Sequence, residues 1–207
     1  MFIELVEVLR CIRENDESWL VASIDEMRGR SIRAGTLGCP VCGAQYPIAA
    51  GIADFSGGSV KIPSNAGLDS TELAMRAGGM LALGEGTGVV VLGGEWAAGA
   101  GPLTSAVDVR VIAVNAPAAT EESAAVAVVK SNEVIPCGRA SCIALALDDS
   151  FGEDALTSAL RAVAPGGRIV APVRLSPPQS LTVLARDASY WVGEKAPEVT
   201  PLRRGSR

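Results

Sequence analysis

The sequence predicts an α/β protein in two parts. A small β-rich unit spans residues 1–60, and a mostly parallel sheet with helices on its faces spans 61–207, ending in an antiparallel hairpin. Three observations lead there. The composition shifts near residue 60: residues 1–60 hold three of the five Cys and two of the three Phe, while 61–207 are rich in Ala, Val and Gly. The stretch Ser56-Gly57-Gly58-Ser59, followed by Lys61-Ile62-Pro63-Ser64-Asn65, breaks helical and strand periodicity alike and reads as a connector. Beyond it, short continuous apolar runs alternate with helical patterns, as in strands covered on both faces.

The elements follow in order. Residues 2–9 (FIELVEVL) predict one or two helical turns. Trp19 to Ile24 and Ser31 to Leu37 read as strands with Gly29 in the turn between them; Tyr46 to Ile48 and Ile52 to Phe55 flank a turn at Gly51. A unit of about 60 residues is marginal without a staple. In the second part, Asp69-Ser70 caps a helix running to about Leu83, with Leu73, Ala77, Met80 and Leu81 at helical spacing. Gly84 to Gly88 follows a helix and precedes a strand, so it reads as a turn rather than a nucleotide loop. Val89 to Leu92 is the first strand, followed by a Gly/Ala-rich loop with a short helix through Ala106. Val109 to Val114, Ala124 to Val129 and Cys142 to Leu147 are the next strands. Glu153 to Val163 is the clearest amphipathic helix, capped by Asp149 or Ser150 and stopped by Gly166-Gly167. Arg168 to Val173 is a strand; Leu181 to Arg186 and Tyr190 to Glu194 pair as the closing hairpin.

Composition excludes several functions. His is absent, which removes imidazole catalysis and every His-ligated metal site. The net charge of -5 argues against a broad nucleic-acid surface. No apolar run reaches the ~18–20 residues of a membrane span, and no signal-peptide pattern opens the chain. A cytoplasmic protein is expected, with a protein partner or a second copy and with neither membrane nor nucleic acid.

The sharpest motif is Gly38-Cys39-Pro40-Val41-Cys42-Gly43. Two thiolates two residues apart can chelate one ion, and the Pro and Gly shape a turn that aims backbone N–H groups at the sulfurs. Cys11, separated from Cys39 by 27 intervening residues, is a third ligand candidate, and Glu14, Asp16 or water a fourth. A decayed site resting on its core alone, or a redox pair, are the other readings; a reactive C-x-x-C normally opens a helix, and Gly-Ala-Gln-Tyr-Pro-Ile does not start one. Cys137 and Cys142 read as buried free thiols. Asp148, Asp149, Glu153 and Asp154 form an acidic cluster that complements a helix N-terminus, with cation binding or general-base work as the other reading; Arg203, Arg204 and Arg207 form a solvated tail, with weak contact to an acidic partner as the lesser reading.

Leu37-Gly38-Cys39-Pro40-Val41-Cys42-Gly43-Ala44-Gln45-Tyr46-Pro47-Ile48 with Gly51-Ile52 resembles the second half of the small zinc-ribbon activator subunits of tRNA, rRNA and release-factor methyltransferases. Leu9-Arg10-Cys11-Ile12-Arg13-Glu14 stands where their first Leu-x-Cys-Pro-x-Cys belongs, without its Pro and second Cys. The resemblance covers about residues 1–56 and implies zinc held by Cys11, Cys39, Cys42 and Glu14. Residues 66–195 resemble a class I S-adenosylmethionine-dependent methyltransferase, a Rossmann-like fold. The resemblance rests on Val89 to Leu92 with Gly93-Gly94, on Val109 to Val114, on Leu160 to Val170 with its Pro-Gly-Gly, and on the final hairpin. It implies cofactor contacts from Gly93, Gly94 and Asn115.

The cofactor motif itself departs from the family. Val91 replaces the acid, and Glu95 and Ala97 replace the second and third glycines, where bare backbone has to approach the cofactor. Trp96 at this turn would take space a ligand needs. Asn115 replaces the acid expected to grip the ribose, and Cys142 to Asp149 holds no N-P-P-Y-type tetrapeptide. The expectation is therefore a non-catalytic methyltransferase-like protein, a structural or partner-binding subunit without S-adenosylmethionine and with zinc as its candidate cofactor. The alternative is an active S-adenosylmethionine-dependent methyltransferase with an atypical cofactor pocket.

Overall fold

The computed structural model describes residues 1–13, 18–58, 60–64, 67, 69–84, 87–132 and 134–197. Glu14 and Asp16, part of the Gly84–Gly88 turn, and the tail arginines lie outside them. A 3-10 turn at Ile3–Glu7 leads to β1 (Val21–Arg28), β2 (Ser31–Gly38), β3 (Gln45–Ala49) and β4 (Ile52–Asp54). Then come α1 (Ser70–Leu81), β5 (Val89–Gly93), a 3-10 turn at Gly94–Gly99, α2 (Ala100–Ala106), β6 (Arg110–Val114) and β7 (Val126–Lys130). The chain ends with β8 (Cys142–Ala146), α3 (Glu153–Ala162), β9 (Val163–Pro172), β10 (Leu181–Arg186) and β11 (Tyr190–Lys195).

Among the described residues the strands form one sheet in the order β1-β2-β3-β4-β7-β6-β5-β8-β9-β11-β10. β1 to β4 is an antiparallel meander, and β10 and β11 are antiparallel to β9 and to each other. The run β4, β7, β6, β5, β8, β9 is parallel. The two halves of the sequence meet where β4 pairs with β7, Ala53 opposite Val129 and Asp54 opposite Lys130.

β5 to β8 are buried on both faces, which is why their sequences are continuous apolar runs rather than alternating ones. On one face α1 and α2 cover Val90, Leu92, Val111 and Ala113. On the other, α3 covers part of the sheet, while the described residues of the β7–β8 connection form no helix. The N-terminal segment fills that place. Met1, Phe2, Leu5 and Leu9 are buried in the same core as Ile112, Val114, Val129 and Ile135. Leu9 bridges Cys137, and Gly138 N–H donates to Val8 C=O at 2.9 Å. Arg33 of β2 adds an ion pair to Glu122 in the β6–β7 loop, 2.7 Å apart.

Two local expectations change. α3 begins after Gly152, with no side-chain cap from Asp149 or Ser150, because Asp148 draws Ser150 into its own turn. β9 starts at Val163, so Gly166-Gly167 lies within a strand instead of ending a helix. A β-carbon on Gly167 would come 2.4 Å from the Ile143 carbonyl oxygen, so glycine permits the close approach of β9 to β8. Elsewhere, Asp69 caps α1 by accepting from the N–H groups of Thr71 and Glu72, as its sequence predicts.

Candidate functional site

The chain leaves β5 toward β6 and β7 on one side and returns to β8 on the other, so the sheet switches direction of winding between β5 and β8. Ligands of open α/β sheets lie outside the carboxyl ends of the strands at such a point. Here those ends are Gly93-Gly94-Glu95 after β5 and Leu147-Asp148 after β8. Asp148 is buried, and its carboxylate accepts from Glu95 N–H at 2.7 Å and from Ser150 N–H at 2.9 Å. The Ser150 hydroxyl also donates to it.

Beside this turn lies a cavity of about 300 Å³ walled by Lys61, Glu95, Asp148, Asp149, Ser150 and Tyr190. Glu95 is exposed there, and Asp149 pairs with Arg174 at 3.3 Å. Burial and the nearby carboxylates of Asp148, Asp149 and Glu95 push the Tyr190 phenol up to about 12. A second cavity, of about 350 Å³, lies at α2 and the loop after β6, with Ala98, Pro102, Thr120 and Glu121 in its wall. The Thr120 hydroxyl is buried without a hydrogen-bond partner.

Trp96 does not stand over the glycine turn. The 3-10 turn carries its ring into the core on the α1 face, where it is 1% exposed and meets Tyr190 edge-on at 5.1 Å. Its indole N–H donates to the Leu147 carbonyl at 3.2 Å. Phe151 and Leu147 fill the space beside Gly93 instead. Gly94 has φ +65°, and a β-carbon there would lie 2.0 Å from Asp148 Oδ2. This glycine therefore makes room for a carboxylate of the chain itself. Asn115, at φ +53° after β6, donates to the Ser131 carbonyl at 2.6 Å and accepts from Ser131 N–H at 2.9 Å. Its amide joins the ends of β6 and β7.

The cysteine cluster assembles as its spacing suggests. The sulfurs of Cys11, Cys39 and Cys42 lie within 4.8 Å of one another, Cys11 and Cys42 at 3.6 Å. Ligands about 2.3 Å from a tetrahedral zinc stand about 3.8 Å apart, so the three fit one ion. Gly43, at φ +72°, turns the knuckle, and its N–H donates to the Cys39 carbonyl at 3.0 Å. The Cys42 N–H, then that of Val41, bring the Cys39 thiol down to about 7. The Ala44 N–H pulls Cys42 the same way, but burial and the thiols of Cys11 and Cys39 outweigh it and push Cys42 up to about 11. Tyr46 hydroxyl lies 3.1 Å from Cys11 Sγ. Cys137 and Cys142 are buried free thiols.

No family model and no curated protein matches the chain. Among solved structures it is similar to an S-adenosyl-L-methionine-dependent methyltransferase assignment from Methanococcus maripaludis. That match has 11% identity and TM-score 0.42, and covers 70% of this chain and all of that one. It is also similar to a geranyl diphosphate methyltransferase in complex with its diphosphate substrate and sinefungin, at 17% identity and TM-score 0.36, covering 55% of this chain and 53% of that one. A third is the 16S rRNA N2 G1207 methyltransferase of T. thermophilus in complex with AdoMet and guanosine. It has 16% identity and TM-score 0.35, and covers 82% of this chain and 47% of that one. The chain thus spans about half the length of the latter two.

Two expectations are corrected. The expectation of a non-catalytic chain without S-adenosylmethionine rests on the replacements at Val91, Glu95, Ala97 and Asn115, on the missing N-P-P-Y-type tetrapeptide and on a crevice shut by Trp96; that ring is instead packed in the core and shuts nothing. The sequence offers Asp148 only within an acidic cluster, Glu95 only as a replaced glycine and Tyr190 only as core packing; that the three wall one cavity is not legible in it. Asp148 carried a signal: an acid directly after a fully apolar strand stands at the carboxyl edge of a parallel sheet. Among the described residues no helix is long and apolar enough to cross a membrane.

Proposed function

We propose that the chain is an S-adenosylmethionine-dependent methyltransferase with an atypical cofactor pocket. The acidic cavity at the β5–β8 switch point carries this reading. S-adenosylmethionine bears a sulfonium and an α-ammonium, and Glu95, Asp148 and Asp149 supply the opposite charge at the place where such sheets bind ligands. The Thr120 hydroxyl, buried and unsatisfied beside the second cavity, suits a ligand hydroxyl or ring nitrogen. When bound, the cofactor supplies an electrophilic methyl group.

The chain's own residues have separable roles in this scheme. Asp148 is a positioning residue that fixes the Gly94-Glu95 turn through the Glu95 N–H. The exposed Glu95 carboxylate takes the proton of the acceptor nucleophile. The Tyr190 phenol, raised to about 12, stays protonated near neutral pH and donates a hydrogen bond into the cavity. Calorimetry with S-adenosylhomocysteine tests the reading. Micromolar binding that weakens about tenfold or more in Glu95→Lys supports it. No heat at about 1 mM ligand overturns it.

Cys11, Cys39 and Cys42 are further read as ligands of a structural zinc. The carrying observation is their mutual approach within 4.8 Å from two segments far apart in sequence. Zinc there would tie the N-terminal segment, which covers one face of the sheet, to the β2–β3 knuckle.

A further inference from the structure

We infer that a groove between α1 and the β10–β11 hairpin binds a small anionic amphiphile, a carboxylate on an aliphatic body. The groove encloses about 460 Å³, within the ~300–1,000 Å³ typical of small-molecule sites. The β9–β10 connection forms turns rather than a helix, and its Leu175 packs against Trp191 on the opposite face of the hairpin, which leaves the Tyr190 and Val192 face to the groove. Met80, Leu184 and Val192 give it an apolar lining, with Leu184 46% exposed.

Its charge is opposite to that of the chain. The protein carries a net charge of -5, yet Arg76, Arg168 and Arg186 line the groove against a single lining carboxylate, Asp187. Arg76 is held by Asp187 at 3.4 Å and lies over the rings of Tyr190 and Trp96, at 5.2 and 5.4 Å. Arg168 pairs with Glu194 at 3.3 Å. Arg186 makes no ion pair among the described residues. One guanidinium is thus fixed in place and another has no carboxylate of its own beside an apolar wall. A carboxylate head can pair with Arg186 while its alkyl body buries apolar area. A cationic or neutral amphiphile gains only the second term. Tyr190 also walls the Asp148 cavity, so the groove adjoins that site, but the inference does not depend on methyl transfer.

Octanoate is the probe, titrated into the full chain without any nucleotide and followed by calorimetry and Trp fluorescence. Octylamine and octanol are the controls. Octanoate should bind about tenfold or more tightly than either control and weaken with added salt. Arg186→Glu should cost about tenfold in octanoate affinity with an unchanged thermal midpoint, because the side chain is exposed. Arg186→Lys should retain most of the affinity. Octylamine binding as well as octanoate, an Arg186→Glu chain that binds octanoate normally, or no octanoate binding at about 10 mM each overturns the inference.

Discussion

A β-carbon on Gly94 would lie 2.0 Å from Oδ2 of Asp148, so the two residues share one space, and the carboxylate reaches the Glu95 N–H only because Gly94 has no side chain. Strand β5 can therefore end in a left-handed turn at φ +65° that is pinned to the end of β8.

Gly94→Ala should destabilise the fold by about 2–4 kcal/mol, from the left-handed backbone and from displacing Asp148. Asp148→Ala alone removes the acceptor for Glu95 N–H and for Ser150 N–H and should cost about 2–3 kcal/mol. The double variant should cost less than the two together by about 1–2 kcal/mol, since the second change vacates the space the first one needs. Urea unfolding of all four chains measures this. Additive costs would mean that the two residues do not compete for space.

Stability should fall as pH rises from about 10 to about 12, in part through Tyr190. Its phenol is held protonated in the folded chain by burial and by Asp148, Asp149 and Glu95, while the unfolded chain releases the proton at an ordinary tyrosine value. The folded state then binds more protons in that window, and stability declines with pH. Tyr190→Phe should flatten this part of the profile and leave the chain's behaviour below about pH 9 unaltered. Thermal midpoints across the range, with absorbance at 295 nm for phenol ionisation, are the measurement.

The second part of the chain should not fold cooperatively without the first. Met1, Phe2, Leu5 and Leu9 cover the sheet face that the β7–β8 connection leaves bare, and β4 pairs with β7. Residues 61–207 expressed alone should bind a hydrophobic dye and lose near-ultraviolet ellipticity. Leu9→Ala in the full chain should cost about 2–5 kcal/mol. Its methyls are fully buried beside Cys137, where surrounding strands limit relaxation. A sharp unfolding transition for 61–207 alone would show that the N-terminal segment is dispensable cover.

What the sequence reveals follows from which forces act locally. Val89–Gly93, Arg110–Val114 and Cys142–Ala146 are recognisable because strands buried on both faces need unbroken apolar runs. Cys39 and Cys42 announce their knuckle because the turn is built within six residues. The β4–β7 junction leaves no such mark: it is a two-residue parallel pairing between segments more than seventy residues apart. The direction of Trp96 was hidden for a related reason. Its orientation is set by a 3-10 turn and by the Leu147 carbonyl just past the end of β8, neither visible in the spacing of Gly93 and Gly94. Asn115 stands where the methyltransferase resemblance calls for a ribose ligand, but its amide is bonded to Ser131, a partner known only once β6 and β7 lie side by side.

The cysteine cluster yields the last prediction. Chain expressed in zinc-replete medium should carry about one zinc, and removing it with a chelator should lower the thermal midpoint by about 5 °C or more. Three sulfurs within 4.8 Å, drawn from the N-terminal segment and the β2–β3 knuckle, would otherwise be held together only by weak thiol hydrogen bonds and their surrounding core. Cys39→Ser should lose the metal, because a hydroxyl at that position keeps its proton and cannot replace a thiolate. Cys142→Ala, buried outside the cluster, should keep it. A metal-free chain whose midpoint is indifferent to added zinc would leave the three thiols as core packing and return the stability of the N-terminal unit to its contacts with the sheet.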